Sequence, residues 1–167
     1  MNPLRIERVS GDNAESIETI ADLARRIWTE HYTPIIGEGQ VEYMLDHFQD
    51  IEAITRQIDS DGYAYYIAYW DGLPAGYCSV LTDDDENSVF LSKIYVDADF
   101  RRKGVAREFI RRVLADTGYT RVWLTVNRNN IGSIEAYKKM GFEIAESLVT
   151  DIGGGYVMDD YKMVWRA

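Results

Sequence analysis

A change of hydrophobic period around YVDADFRRKGVARE, residues 95–108, constrains the fold more than any other feature of the chain. Before it, SVFLSKIYV has the apolar and β-branched content of a strand. After it, Val105, Ala106, Phe109, Ile110, Val113 and Leu114 recur at helical spacing, and TRVWLTV returns to strand character. A strand, a helix and a strand in succession need a sheet covered by helices, so the chain reads as a layered α/β or α+β protein around one mixed sheet. The junction places Arg101, Arg102 and Lys103 directly before Gly104. Adjacent cations repel one another, so the run is either a solvated face or a seat for an anion. At a helix start the first N–H groups lack partners and the macrodipole adds about half a positive charge, so an anion finds donors and field together. Gly104 lets the backbone approach such a ligand without a Cβ, and the small Ala106 keeps the next turn open. The spacing Arg-x-x-Gly-x-Ala satisfies neither the P-loop nor the dinucleotide-binding pattern.

The remaining segments extend the pattern. PLRIERV reads as a first strand. Ile17, Ile20, Ala21, Ala24, Ile27 and Trp28 form a helical stripe, with Asp12 as N-cap and Glu15 completing a capping box. Pro34 is expected to end that helix, and Val41, Met44, Leu45, Phe48, Ile51 and Ile54 to carry a second one. YAYYIAYW and LPAGYCSVL flank Asp71-Gly72, a hairpin signal. The run Asp83 to Glu86 lacks the spread of ligands and the central glycine of a calcium loop and reads as a solvated turn. NNIGSIEAYKKM reads as a short helix capped by Asn130, GFEIAESLV as a strand, and GGGYVMDDYKMVW as a glycine loop and a last strand. The glycines at 153–155 suggest a flap on the substrate side.

Composition removes several classes. With 167 residues and 46% hydrophobic side chains the chain has material for one substantial core, and residues 1–167 are expected to form a single domain. No apolar signal-peptide core opens the sequence, and no stretch approaches the roughly 20 apolar residues of a membrane span, so no membrane partner and a cytoplasmic location are expected. Cys78, the single cysteine, can form no internal disulfide or thiolate metal site and reads as a buried, inert thiol. Two histidines, His31 and His47, suggest no metal and read as helix-surface residues. The formal charge of −10 is uneven: residues 1–92 hold 5 Lys and Arg against 18 Asp and Glu, and residues 93–167 hold 13 against 10. Nucleic acid is a poor partner for such a chain.

IYVDADFRRKGVA and VNRNNIGSIEAYKKMGFEI together resemble the two cofactor motifs of the GCN5-related N-acetyltransferase (GNAT) superfamily. The resemblance implies a mostly antiparallel, twisted sheet of about seven strands with about four helices, split into a V that holds acetyl-CoA. It implies that the pantetheine arm pairs with the backbone from Ile94 through Tyr95 to Val96. The pyrophosphate would lie on Arg101, Arg102, Lys103, Gly104, Val105 and Ala106, with Asn127, Asn130 and Ser133 on the opposite wall. Tyr137 matches the family tyrosine directed at the sulfur. The chain departs from the pattern at Ala98, where many members carry proline, and at Ala106, where many carry a second glycine.

A thioester is already activated, so a neutral, aligned amine attacks it without an enzyme nucleophile. The departing thiolate needs a proton, which Tyr137 is expected to give, and a backbone N–H near Val96 is expected to meet the oxyanion. The ammonium must first lose a proton, and Glu30 and Asp160 are the expected bases. IWTEHYTPIIGEGQVEYML and DIGGGYVMDDYKM are similar to the bacterial spermidine/spermine acetyltransferase branch. That similarity implies a small cationic amine held by Trp28, Glu30, Tyr32, Glu38, Glu42 and Tyr43 through charge and cation–π contact. A solvated acidic helix pair with core aromatics is the competing reading of those residues. A protein α-amine or lysine acceptor, a catalytically silent acyl-CoA sensor and a homodimeric state remain open at this level.

Overall fold

The computed structural model describes residues 2–166. Strand β1 (Leu4–Val9) is followed by helices α1 (Ala14–His31), α2 (Thr33–Ile36), α3 (Glu38–Phe48) and α4 (Ile51–Asp59). Strands β2 (Ala64–Trp70), β3 (Leu73–Asp83) and β4 (Ser88–Val96) come next. Helix α5 (Val105–Thr117), β5 (Arg121–Asn127), α6 (Ile131–Lys139), β6 (Glu143–Gly153) and β7 (Tyr156–Arg166) complete the order. The strands form one seven-stranded sheet in the order β1-β2-β3-β4-β5-β7-β6, antiparallel at every step except β4 to β5.

Alternation along the strands assigns the two faces. Tyr65, Ile67 and Tyr77 point to the core under α1, α3 and α4, where Ile20, Ile27, Trp28 and Leu45 are buried. Tyr66, Ala68 and Cys78 point the other way, to Phe109 and Val113 of α5 and to Leu124 and Met163. Three layers result, with helices on both faces of the sheet.

The described residues hold six α-helices where the sequence suggests about four. The stripe from Val41 to Ile54 is broken because the Asp50 side chain accepts from the Ala53 amide and starts α4 afresh. Pro34 lies in the first turn of α2, where its missing N–H costs nothing, and α1 has already ended at His31. The N-cap of α1 is Asn13, whose side chain accepts from the Ser16 amide, whereas Asp12 pairs with Ser10. The Asp71-Gly72 hairpin forms as expected, with φ of 49° and 82° suiting a primed turn. Asp83 accepts from the amides of Asp85 and Glu86, which makes the acidic run a turn between β3 and β4. Cys78 is fully buried, and burial pushes its thiol up.

Candidate active site

The parallel pair β4 and β5 creates the site by failing to stay paired. Ser88 to Phe90 ladder with Arg121 to Trp123, yet β4 runs on to Val96 and β5 to Asn127 without each other. A bulge at Ser79/Val80 leaves Ser92 without a partner on β3 and turns β4 away. Close packing of β3 on β4 beyond the bulge requires Gly76, where a Cβ would stand 2.5 Å from the Tyr95 carbonyl oxygen. Two cavities open in the split, of about 380 and 40 Å³. Tyr32, Ile94, Tyr95 and Tyr137 line both.

The larger cavity runs along Val96, Arg101, Arg102, Val105 and Ala106 to Ser133 on α6. Arg102 and Gly104 both take left-handed backbone, with φ of 63° and 81°, and no side chain caps the first turn of α5. Such alternation turns successive N–H groups to one side, and the free helix start adds its field, so this rim is built for an anion. Gly104 has open space where a Cβ would stand and serves through its backbone. Lys103 is turned away, its Nζ 5.1 Å from the centre of the Trp70 ring. Arg101 donates from Nε to the Val96 carbonyl at 3.1 Å.

Neither Asn130 nor Asn127 lines the larger cavity. Asn130 is buried, caps α6 through the Ser133 amide and reaches Tyr32 Oη at 3.2 Å and His31 Nε2 at 3.1 Å, lining neither cavity itself. Asn127 lines the smaller cavity. His31 is half-buried on the wall of the larger cavity, and burial holds its imidazole below the usual range, which corrects its reading as a surface residue. His47 is exposed and stacks on Tyr43.

At the junction Trp28 stacks on Tyr32 with centroids 4.3 Å apart, and Tyr32 meets Tyr95 edge-on at 6.0 Å. Burial pushes the Tyr32 phenol up to about 12 and raises that of Tyr137 further. Both stay protonated at neutral pH and serve as hydrogen donors.

The smaller cavity contains one carboxylate, Asp160, which is 4% exposed and whose Oδ1 has no hydrogen-bond partner. Burial, with the nearby charge of Asp159 second, pushes its carboxyl up to about 6. Trp28, Tyr32, Gln40, Ser92 and Met158 are among the other residues of its wall. Glu30, Glu38 and Glu42 do not reach this cavity: all three are exposed, and Glu42 lies 3.6 Å from Arg25. Their helices turn them outward, because the inward stripe is apolar. Tyr43 is bound up elsewhere, its hydroxyl donating to the Ile152 carbonyl at 2.7 Å. Gly153 and Gly154 pack on Tyr43 at the β6–β7 turn, since a Cβ on Gly153 would stand 2.5 Å from the Tyr43 hydroxyl oxygen, and Gly155 faces open space. Gln40, Ser92 and Met158 carry no sequence signal of their own; the contact of α3 with β7, a bulge in the β3–β4 ladder and a strand register bring them to the cavity.

The profile of the Acetyltransferase (GNAT) family matches residues 18–142. An uncharacterized N-acetyltransferase of Mycobacterium bovis is 28% identical over 150 residues, which cover 88% of this chain and 95% of that protein. N-acetyltransferase 8 of Homo sapiens is 29% identical over 72% of this chain and 52% of its own length. In fold, the chain is similar to the PaiA N-acetyltransferase of Thermoplasma acidophilum, a structure in complex with coenzyme A. The TM-score is 0.77 at 20% identity, covering 98% of this chain and 99% of that one. A GCN5-related N-acetyltransferase of Rhodopseudomonas palustris superposes with a TM-score of 0.76 at 16% identity, covering 100% and 97%. With three quarters of its length inside the family profile and a split sheet of the same architecture, the chain belongs to the acetyltransferase (GNAT) family.

Proposed function

We propose that the protein transfers the acetyl group of acetyl-CoA to a primary amine, which attacks the thioester directly at the junction of the two cavities. The observation that carries this reading is the pair of cavities sharing Tyr32, Ile94, Tyr95 and Tyr137, one rimmed by free helix-start amides and arginines and the other holding a buried carboxylate. The Thermoplasma neighbour is in complex with coenzyme A, which supports the cofactor itself, and the free amides and arginines of the rim favour the larger cavity as its place.

Asp160 accepts one proton from the acceptor ammonium. The neutral nitrogen attacks the carbonyl carbon, the C–N bond forms, and backbone N–H groups of β4 near Val96 stabilise the oxyanion. The C–S bond then breaks, and Tyr137 protonates the departing thiolate and recovers its proton from the new amide nitrogen. Asp160 returns its proton to solvent, so the products are the acetamide, CoA thiol and one proton. Lys103 and Asn130 act at one remove, Lys103 by charge and Asn130 by holding Tyr32. Glu30 is too exposed to serve as the base, and that role falls to Asp160.

The similarity of the two acceptor segments and the acidic balance of residues 1–92 favour a cationic amine, with polyamines and monoamines both as candidates, and Glu30, Glu38 and Glu42 add nothing to that preference. The reading includes residence in the cytoplasm; no helix among the described residues is long and apolar enough to cross a membrane. Thiol release from acetyl-CoA, measured with spermidine, simple monoamines and an N-terminal peptide, tests it: acceptor-dependent release supports acetyl transfer, and release no faster than hydrolysis with all of them rejects it.

A further inference from the structure

The lining of the smaller cavity restricts which amine can be the acceptor. Among the described residues that line it, Asp160 is the only acidic one and none is basic. Its Oδ1, in a residue 4% exposed, has no hydrogen-bond partner, so its acceptor capacity is unspent and suits one ammonium. Trp28, Ile36, Met44, Leu91 and Met158 give the wall an apolar side, the neutral Gln40, Ser92, Thr125 and Asn127 give it uncharged polar groups, and the two methionines can adapt to an irregular body. The space of about 40 Å³ is small beside the 380 Å³ of the cofactor side.

The rim between α3 and the β6–β7 hairpin is also fastened. Gln40 donates from Nε2 to the Val157 carbonyl at 2.8 Å, and Tyr43 donates to the Ile152 carbonyl. An extended chain would have to break these contacts to lie across the rim. A second ammonium on a short methylene spacer would find no second carboxylate in the lining, only neutral side chains, and a buried charge without a counter-charge is strongly unfavourable.

Resting on the acetyltransferase reading, we infer that the acceptor is a small primary monoamine with an aliphatic or aromatic body. Its single ammonium meets Asp160 and its body packs against Trp28, Met44 and Met158. The cavity thus selects against polyamines, although the chain is acidic as a whole.

Pentylamine and cadaverine test this directly, since they share a carbon chain and differ by one ammonium. With saturating acetyl-CoA and thiol release as readout, kcat/KM for pentylamine is expected to exceed that for cadaverine about tenfold or more, with spermidine poorer still. Ile36→Glu, which adds a second carboxylate at the wall, is expected to narrow that ratio. Cadaverine or spermidine turning over as well as pentylamine overturns the inference and leaves acetyl transfer standing. An N-terminal peptide acetylated while all small amines are inert also overturns it. Absence of transfer to every acceptor, with acetyl-CoA intact, rejects the acetyltransferase reading itself.

Discussion

Asn127 and Asp160 sit opposite one another on the β5–β7 ladder, beyond the point where β5 has parted from β4. This register places a carboxylate inside the split rather than on an outer strand face. Burial then raises it to about 6, so it is ionised at neutral pH and ready to take a proton. We expect kcat/KM for an amine to fall as pH drops through about 6, with Asp160→Asn lowering kcat about 10²-fold or more and removing that limb. A pH–rate profile of both proteins checks this.

Asp160 also makes a stability prediction of opposite sign. Its folded pKa lies above the unfolded value of about 3.9, so its contribution is favourable below that value and lost as pH rises through about 6. At pH 7.5 the ionised group is a burden, discounted by its access to water in the cavity. Asp160→Asn should therefore raise stability by about 1 kcal/mol, or ~3 °C in Tm, while activity falls. A thermal melt at pH 7.5 that is unchanged or lowered would contradict the buried-charge account.

Tyr137→Phe keeps the ring in its packing against Phe142 and removes only the hydroxyl. Loss of the proton to the leaving thiolate should lower kcat about 10²-fold with CoA affinity little changed. Wild-type kcat in this variant would return Tyr137 to the core. Tyr32→Phe then becomes the next variant to measure, because its phenol lines the same junction.

Gly104→Val introduces a β-branched side chain at φ 81° in the loop that faces the cofactor cavity. The backbone must leave the left-handed region, the amides of α5 lose their aim, and CoA affinity should fall about 10²-fold or more. Gly104→Asn, which tolerates this conformation, should retain most of it. Calorimetry on both separates backbone shape from the mere loss of glycine.

Lys93 supports the acceptor wall from behind. Its Nζ donates to the Phe48 carbonyl at 2.5 Å, to Gln57 Oε1 at 3.1 Å and to the Tyr65 hydroxyl at 2.5 Å, so it fastens the end of α3 to the sheet. Burial, partly offset by Asp50, lowers it to about 7. Because the folded protein binds fewer protons than the unfolded chain above that pH, stability gains about 1 kcal/mol per pH unit between 7 and 9. Lys93→Met removes this slope and leaves the Phe48 carbonyl with only the 3.3 Å bond from Gln57 Nε2, at a cost of about 1–3 kcal/mol. Denaturant melts at pH 7 and 9 on both proteins measure the slope and the cost.

Local chemistry in the sequence determined the helix that begins after Gly104, the Asp71-Gly72 hairpin, the Asn130 cap and the succession of seven strands, because periodicity, turns and caps act between residues a few positions apart. The anion-suited rim of the larger cavity was legible for the same reason, since residues 101–106 form one continuous loop and helix start. The acceptor side was not. Glu30, Glu38 and Glu42 share segments with Trp28 and Tyr32, and only packing of α1 and α3 on the sheet shows that the carboxylates turn to solvent. Asp160, Ser92 and Gln40 meet through a strand register, a bulge and a helix contact spanning residues 40 to 160. Such long-range relations are set by the tertiary structure, where burial of apolar faces decides which polar groups are carried inside.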